Sequence, residues 1–66
     1  MNIHELYAKR ASAWESAKNF LDTHRMENGM LSAEDGAVYD RMEKEINDLS
    51  NEIRRMERRD AYEAEL

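Results

Sequence analysis

Residues 32–66 read SAEDGAVYDRMEKEINDLSNEIRRMERRDAYEAEL. Within this stretch apolar side chains recur every three or four positions, at Tyr39, Met42, Ile46, Leu49, Ile53 and Met56. This is the spacing of the a and d positions of helical heptads, which lie along one side of a helix. Ser32 followed by acidic residues is typical of a helix N-cap and first turn, and the chain contains no proline that would interrupt a helix. The stretch therefore predicts one long helix with an apolar seam.

The residues before this helix form a second helical pattern. Asn2 with Glu5 three positions later favours an N-cap. Apolar residues then recur at helical spacing, at Ile3, Leu6, Tyr7, Ala11, Trp14, Ala17, Phe20 and Leu21. The pattern predicts a first helix from about residue 3 to about residue 27.

The link between the helices contains Asn28-Gly29, and glycine favours the left-handed conformation that closes a helix. We predict a turn over 28–31 and a second helix over about 32–66. Two helices joined by a short link lie antiparallel. The predicted fold class is therefore all-α, a single domain over 1–66 that forms a long antiparallel helical hairpin or coiled coil with the longer helix second.

Facing residues of an antiparallel pair have position numbers with a constant sum. Two pairs, Tyr7 with Ile53 and Trp14 with Ile46, give 60. Three pairs give 59: Ile3 with Met56, Ala17 with Met42, and Leu21 with Val38. These sums align the two apolar patterns in one register. This register predicts the following hairpin core: Ile3, Tyr7, Trp14, Ala17, Leu21, Val38, Met42, Ile46, Leu49, Ile53 and Met56.

Some apolar residues remain outside that predicted core. Leu6, Ala13 and Phe20 are one heptad apart and to one side of the predicted seam. At 1.5 Å per residue the second helix spans roughly 50 Å and the first roughly 35 Å, so residues 57–66 are expected to project past Ile3. We therefore predict a self-association surface made of Leu6, Ala13, Phe20, Tyr62 and Leu66. No capping signal precedes Leu66, which predicts that this is the front piece of a longer polypeptide.

Composition and charge exclude several classes of function. The chain has no cysteine, and 38% of its residues are charged, so a disulfide framework and a thiolate zinc site are excluded. No apolar run approaches membrane-spanning length. The net charge of −5 comes entirely from residues 28–66, with eleven acids against six bases, because residues 1–27 balance four against four. An acidic half argues against a general nucleic-acid or membrane binder.

The sequence contains no set of residues typical of catalysis. No Ser/His/Asp or Cys/His arrangement and no glycine-rich phosphate loop are present. His4 and His24 lie at opposite ends of the first helix, too far apart to share a metal within one chain. We predict no enzymatic activity, no cofactor and no metal site.

Four arginines, Arg54, Arg55, Arg58 and Arg59, form the most pronounced charged feature. One interpretation is a polar surface for an acidic protein or a nucleic acid, which would make the chain a stand-alone coiled-coil adaptor or regulator. The other is a solvated helix face, since Glu52, Glu57, Asp60 and Glu63 are near enough to neutralise the arginines. No aromatic platform accompanies the arginines, which disfavours nucleic acid.

Several segments together resemble a known family. The segments LYAKR (6–10), WESAKNFL (14–21), NGMLSAED (28–35), YDRMEKEI (39–46) and IRRMER (53–58) resemble the N-terminus of major capsid proteins of tailed bacteriophages. The most specific of them is the NGMLSAED link with a helix on each side. The resemblance covers nearly the whole chain, although the capsid-forming remainder of such a protein is not in this sequence.

In that family the corresponding region is the delta, or scaffolding, domain, a helical extension inside the procapsid that guides subunit assembly. The resemblance implies an assembly function without chemistry, in the procapsid interior within the bacterial host cytoplasm. It implies further copies of the same chain and other capsid subunits as partners. In many members a phage-encoded maturation protease later removes the domain.

Overall fold

The computed structural model describes residues 2–66 and contains two α-helices, α1 (Ile3–Thr23) and α2 (Ala33–Glu65), without any strand in that range. The helices pack against each other as a hairpin, in a molecule that measures 55 × 17 × 16 Å. This confirms the predicted all-α hairpin with the longer helix second.

Both helices begin with the N-caps that the sequence predicts. The Asn2 side-chain oxygen accepts a hydrogen bond from the Glu5 backbone N–H at 2.9 Å, and the Ser32 hydroxyl accepts one from the Asp35 backbone N–H at 3.1 Å. Each contact satisfies an amide in the first turn that has no partner within the helix.

The first helix ends at Thr23, earlier than the predicted end near residue 27. The Thr23 hydroxyl donates to the Asn19 carbonyl at 2.7 Å, and both the backbone N–H and the Nδ1 atom of His24 lie close to the Phe20 carbonyl, at 3.1 and 2.9 Å. A further turn would need the Met26 N–H to donate to the Asp22 carbonyl, but this N–H donates to the Met30 carbonyl in the link at 2.8 Å. The link therefore spans nine residues, 24–32, instead of the four that we predicted.

The link is held by hydrogen bonds of its own. The Met26 N–H donates to the Met30 carbonyl and the Gly29 N–H to the Met26 carbonyl, both at 2.8 Å. The Arg25 guanidinium donates to the Gly29 carbonyl at 2.8 Å. Gly29 has φ +80, so it adopts the predicted left-handed conformation, although within the turn and not directly after α1.

One side-chain contact between the helices reports their register. The Arg10 guanidinium donates to the Ser50 hydroxyl at 3.3 Å, and the position numbers 10 and 50 sum to 60. This value matches one of the two sums that the sequence predicts for facing residues.

The rotation of α1 about its axis differs from the prediction. Leu6, Ala17 and Ile53 are the buried apolar side chains among the described residues, with exposed fractions of 5%, 0% and 2%. Tyr7 is 37% exposed and Trp14 is 46% exposed. The assignment of Tyr7 and Trp14 to the hairpin core was therefore wrong.

The small size of two alanines explains this rotation. The line of α1 residues predicted to face α2 and the line that does face it both contain Ile3, Arg10 and Ala17. Their directions differ by about 50° around the helix axis. Turning Ala13 and Ala17 toward α2 lets the two backbones approach closely. The indole ring of Trp14 is 46% exposed and therefore lies at the edge of the contact.

The remaining residues of the predicted core are half-buried along the contact between the helices: Ile3, Leu21, Val38, Met42, Ile46, Leu49 and Met56. Beyond Met56 every residue from 57 to 66 is exposed. We call residues 57–66 the overhang, because α2 continues there without α1 beside it.

Candidate functional site

A line of large apolar side chains lies on α1 beside the helix–helix contact. It consists of Tyr7, Trp14 and Leu21, which are one heptad apart, and we call it the α1 stripe. Tyr7 and Trp14 are exposed and Leu21 is half-buried. Part of the apolar surface of each side chain is exposed to water. Such a line of exposed apolar groups marks a surface that can bind another protein.

Charged side chains surround the α1 stripe. The Arg10 guanidinium lies 5.8 Å from the centre of the Tyr7 ring, within range of a cation–π contact. Lys18 pairs with Glu15 at 3.4 Å on the same helix. The stripe is therefore a narrow apolar line bordered by polar groups, like the centre and rim of a protein interface.

The predicted self-association surface on α1 is not uncovered. Leu6 is buried, and Ala13 and Phe20 are half-buried on the side that faces α2. The Phe20 ring also stacks on the His24 ring, with centroids 3.9 Å apart. The prediction that the hairpin leaves these three residues uncovered was wrong. The rotation of α1 that leaves Trp14 exposed also turns these residues toward α2.

The two residues of that surface on the overhang are exposed. Tyr62 is 59% exposed, and with Leu66 it lines a shallow open depression together with Arg59 and Glu63. Tyr62 follows Ile53 by nine residues, or two and a half helical turns, so it lies on the side of α2 opposite to the hairpin contact. The α1 stripe and the Tyr62 depression are thus separate surfaces.

The four arginines within residues 54–59 form mainly local contacts. Arg54 donates to the Asn51 side chain at 2.6 Å, Arg55 pairs with Glu52 at 2.8 Å, and Arg59 pairs with Asp60 at 3.4 Å. All four arginines are exposed. Two of their charges are offset by a neighbouring carboxylate, which agrees better with a solvated helix face than with a phosphate-binding surface.

Titratable groups show two local pKa shifts. Burial and a hydrogen bond with Glu43 raise the pKa of Tyr39 above 10.0, and the hydrogen bond to Asp48 raises the pKa of Lys44 above 10.5. Each shift strengthens the protonated form that already dominates at neutral pH. In residues 2–66 no three or more His, Cys, Asp or Glu side chains are grouped so that they could hold a metal ion.

Sequence reasoning placed the α1 stripe in the core because its helical spacing and position sums set it opposite apolar residues of α2. The pair Ala13 and Ala17 could have shown that the stripe lies outside the contact between the helices. These small residues are four positions apart, a spacing that favours close approach of two helices. Neither helix in the described part of the chain is long and apolar enough to cross a membrane.

No protein-family model, no curated protein and no solved structure matches this chain. The exposed surfaces on α1 and on the overhang are therefore the basis for a functional proposal.

Proposed function

We propose that this chain is a structural assembly module that associates with further copies of itself through its helices, like the scaffolding domains of phage capsid proteins that its sequence resembles. The observation that supports this most directly is how little the hairpin buries. Among residues 2–66, three apolar side chains are buried. A core of this size supplies few kcal/mol of stability at best.

The dimensions of the molecule support the same proposal. A compact monomer of 7.8 kDa has about 4,400 Å² of accessible surface, whereas this chain exposes 5110 Å². Its radius of gyration is 15.8 Å, against about 11 Å for a compact domain of this length. Association would bury part of this surface at roughly 25 cal/mol per Å² of apolar area and so stabilise the fold.

In this proposal the hairpin lies inside a procapsid in the cytoplasm of the bacterial host, where contacts between hairpins bring capsid subunits together. A small interface gives weak and reversible association, so subunits can rearrange before the shell is complete. A maturation protease would then remove the module. The overhang is the part of the helix that is open to such an enzyme, since residues 57–66 are all exposed.

Sedimentation equilibrium of the 66-residue chain over a wide concentration range tests the proposal. We expect the mean mass to rise above 7.8 kDa with concentration, and we expect helicity measured by circular dichroism to fall on dilution. A chain that stays monomeric and fully helical at every concentration would contradict self-association. Strong binding to short DNA at physiological salt would favour the arginine-mediated alternative.

A further inference from the structure

We infer that the α1 stripe is the surface through which two copies of this chain meet, forming a symmetric pair of hairpins. This inference rests on the proposed self-association and specifies which side of the hairpin carries it. The three side chains, Tyr7, Trp14 and Leu21, are one heptad apart. That spacing keeps them on one side of α1 and suits packing against another helix in a four-helix bundle.

The partial burial of the stripe makes it a good contact surface. Tyr7 and Trp14 keep 37% and 46% of their surface exposed, so the rest of each side chain already packs on its own hairpin. A side chain that is held in this way loses less conformational entropy on binding than a free one. Tyrosine and tryptophan are also the residues that contribute most to the centres of protein interfaces.

The charge distribution favours a contact between two α1 helices over one between two α2 helices. Within Ile3–Thr23, α1 has three acids and three bases, whereas α2 has eleven acids and six bases within Ala33–Glu65. Two α1 helices can therefore meet without net repulsion, whereas two α2 helices would repel each other. The exposed aromatic side chains of the hairpin region lie on the neutral helix.

The elongated hairpin exposes more surface than a compact chain of its mass, part of it on the overhang, and a contact between two copies would cover some of this excess. The accessible surface of 5110 Å² exceeds that of a compact monomer by about 700 Å². Each partner in a typical specific interface contributes about 800 Å². In a two-fold symmetric pair the same surface serves both copies, and an apolar line with balanced charges beside it can pack against itself.

Trp14 is the only tryptophan in the chain, so its fluorescence reports on the stripe directly. We expect the emission maximum to lie at shorter wavelength at high concentration and to move to longer wavelength on dilution. The midpoint of this change should agree with the dissociation midpoint from sedimentation. An emission maximum that stays constant while the mass halves would overturn the inference but leave self-association intact.

Trp14→Glu provides the second test. This variant places a charge at the centre of the stripe, at a position that is 46% exposed, so the carboxylate can reach water from the folded hairpin. We expect dimerisation to weaken at least about tenfold, the effect of removing a central interface residue. Circular dichroism at high concentration verifies that the variant is folded.

Ala8→Glu is the matched control, because it adds the same charge to the same helix at an exposed position about 120° around from Trp14. Dimerisation of this variant should match that of the original chain. If both variants dimerise as the original chain does, the two copies meet through another surface. The inference then fails, but the proposed function survives. If the original chain never dimerises, both fail.

Discussion

At the scale of single residues, Ala17 marks the side of α1 that packs against α2. Its side chain is completely buried, although a methyl group adds little apolar area. Its importance is geometric, because a small side chain at the contact lets two helix backbones approach to the short end of the usual 8–10 Å separation. Larger apolar side chains on α1, including Trp14, then lie beside the contact.

Ala17→Leu should therefore destabilise the hairpin. Three additional carbons at a fully buried position force the helices apart or strain the side chain, which typically costs about 1–3 kcal/mol. Urea unfolding followed by circular dichroism at one fixed protein concentration measures the change. Ala8→Leu makes the same substitution at an exposed site of α1 and should change stability by less than about 0.5 kcal/mol. Equal stability of both variants would show that α1 does not approach α2 closely at Ala17.

At the scale of the elements, the two glycines have different functions in the chain. Gly29 has φ +80 and forms part of the turn in the link, whereas Gly36 lies within the first turns of α2. An added Cβ atom would meet no other atom within 4 Å at either position. A change in stability when either glycine is replaced by alanine therefore reflects the backbone conformation at that position and not a steric clash.

Gly29→Ala should destabilise the hairpin by about 1–2 kcal/mol, because a residue with a Cβ atom is strained in the left-handed region. Gly36→Ala should stabilise it by about 0.5–1 kcal/mol, since alanine loses less conformational freedom than glycine in a helix. Thermal unfolding of the two variants, which differ only in the position of the added methyl group, measures this pair of opposite changes. A stabilised Gly29→Ala variant would contradict the left-handed conformation of the turn.

Local signals in the sequence were sufficient for much of this organisation. The caps at Asn2 and Ser32 and the left-handed Gly29 each depend on residues within a few positions, so they could be predicted. The seam of α2 was also evident, because its apolar residues form one narrow line. The end of α1 was missed because it depends on the conformation of the link, where the Met26 N–H donates to the Met30 carbonyl and not to a carbonyl of α1.

The rotation of α1 could not be decided from its own sequence. Two apolar lines share Ile3, Arg10 and Ala17, and hydrophobicity favours the line that contains Trp14. The choice depends on the distance to α2, which is a property of the pair of helices. The candidate binding surface was therefore misplaced even though the register was predicted.

At the scale of the whole molecule, the hairpin is a rod with two different ends. The long dimension of 55 Å is close to the roughly 50 Å expected of a 33-residue helix, so α2 alone sets the length. At one end the link is closed by backbone hydrogen bonds. At the other end every residue of the overhang is exposed.

Amide hydrogen exchange should therefore vary strongly along α2. We expect the slowest exchange around Ile53, which is buried, and rapid exchange over residues 57–65, because an isolated helical segment shorter than about 12–15 residues is marginal in water. Exchange measured by NMR on the 66-residue chain gives the protection of each amide. Uniform protection along the whole of α2 would mean that another contact holds the overhang.

One helix would then contain two units that melt separately. On heating, the final turns of α2 should lose their structure first, so ellipticity would begin to fall while the near-ultraviolet signal of Trp14 is still unchanged. The main loss of ellipticity would follow, together with the tryptophan signal, when the contact between α1 and α2 breaks. A chain of 66 residues would in this way depart from the single cooperative transition that small domains usually show.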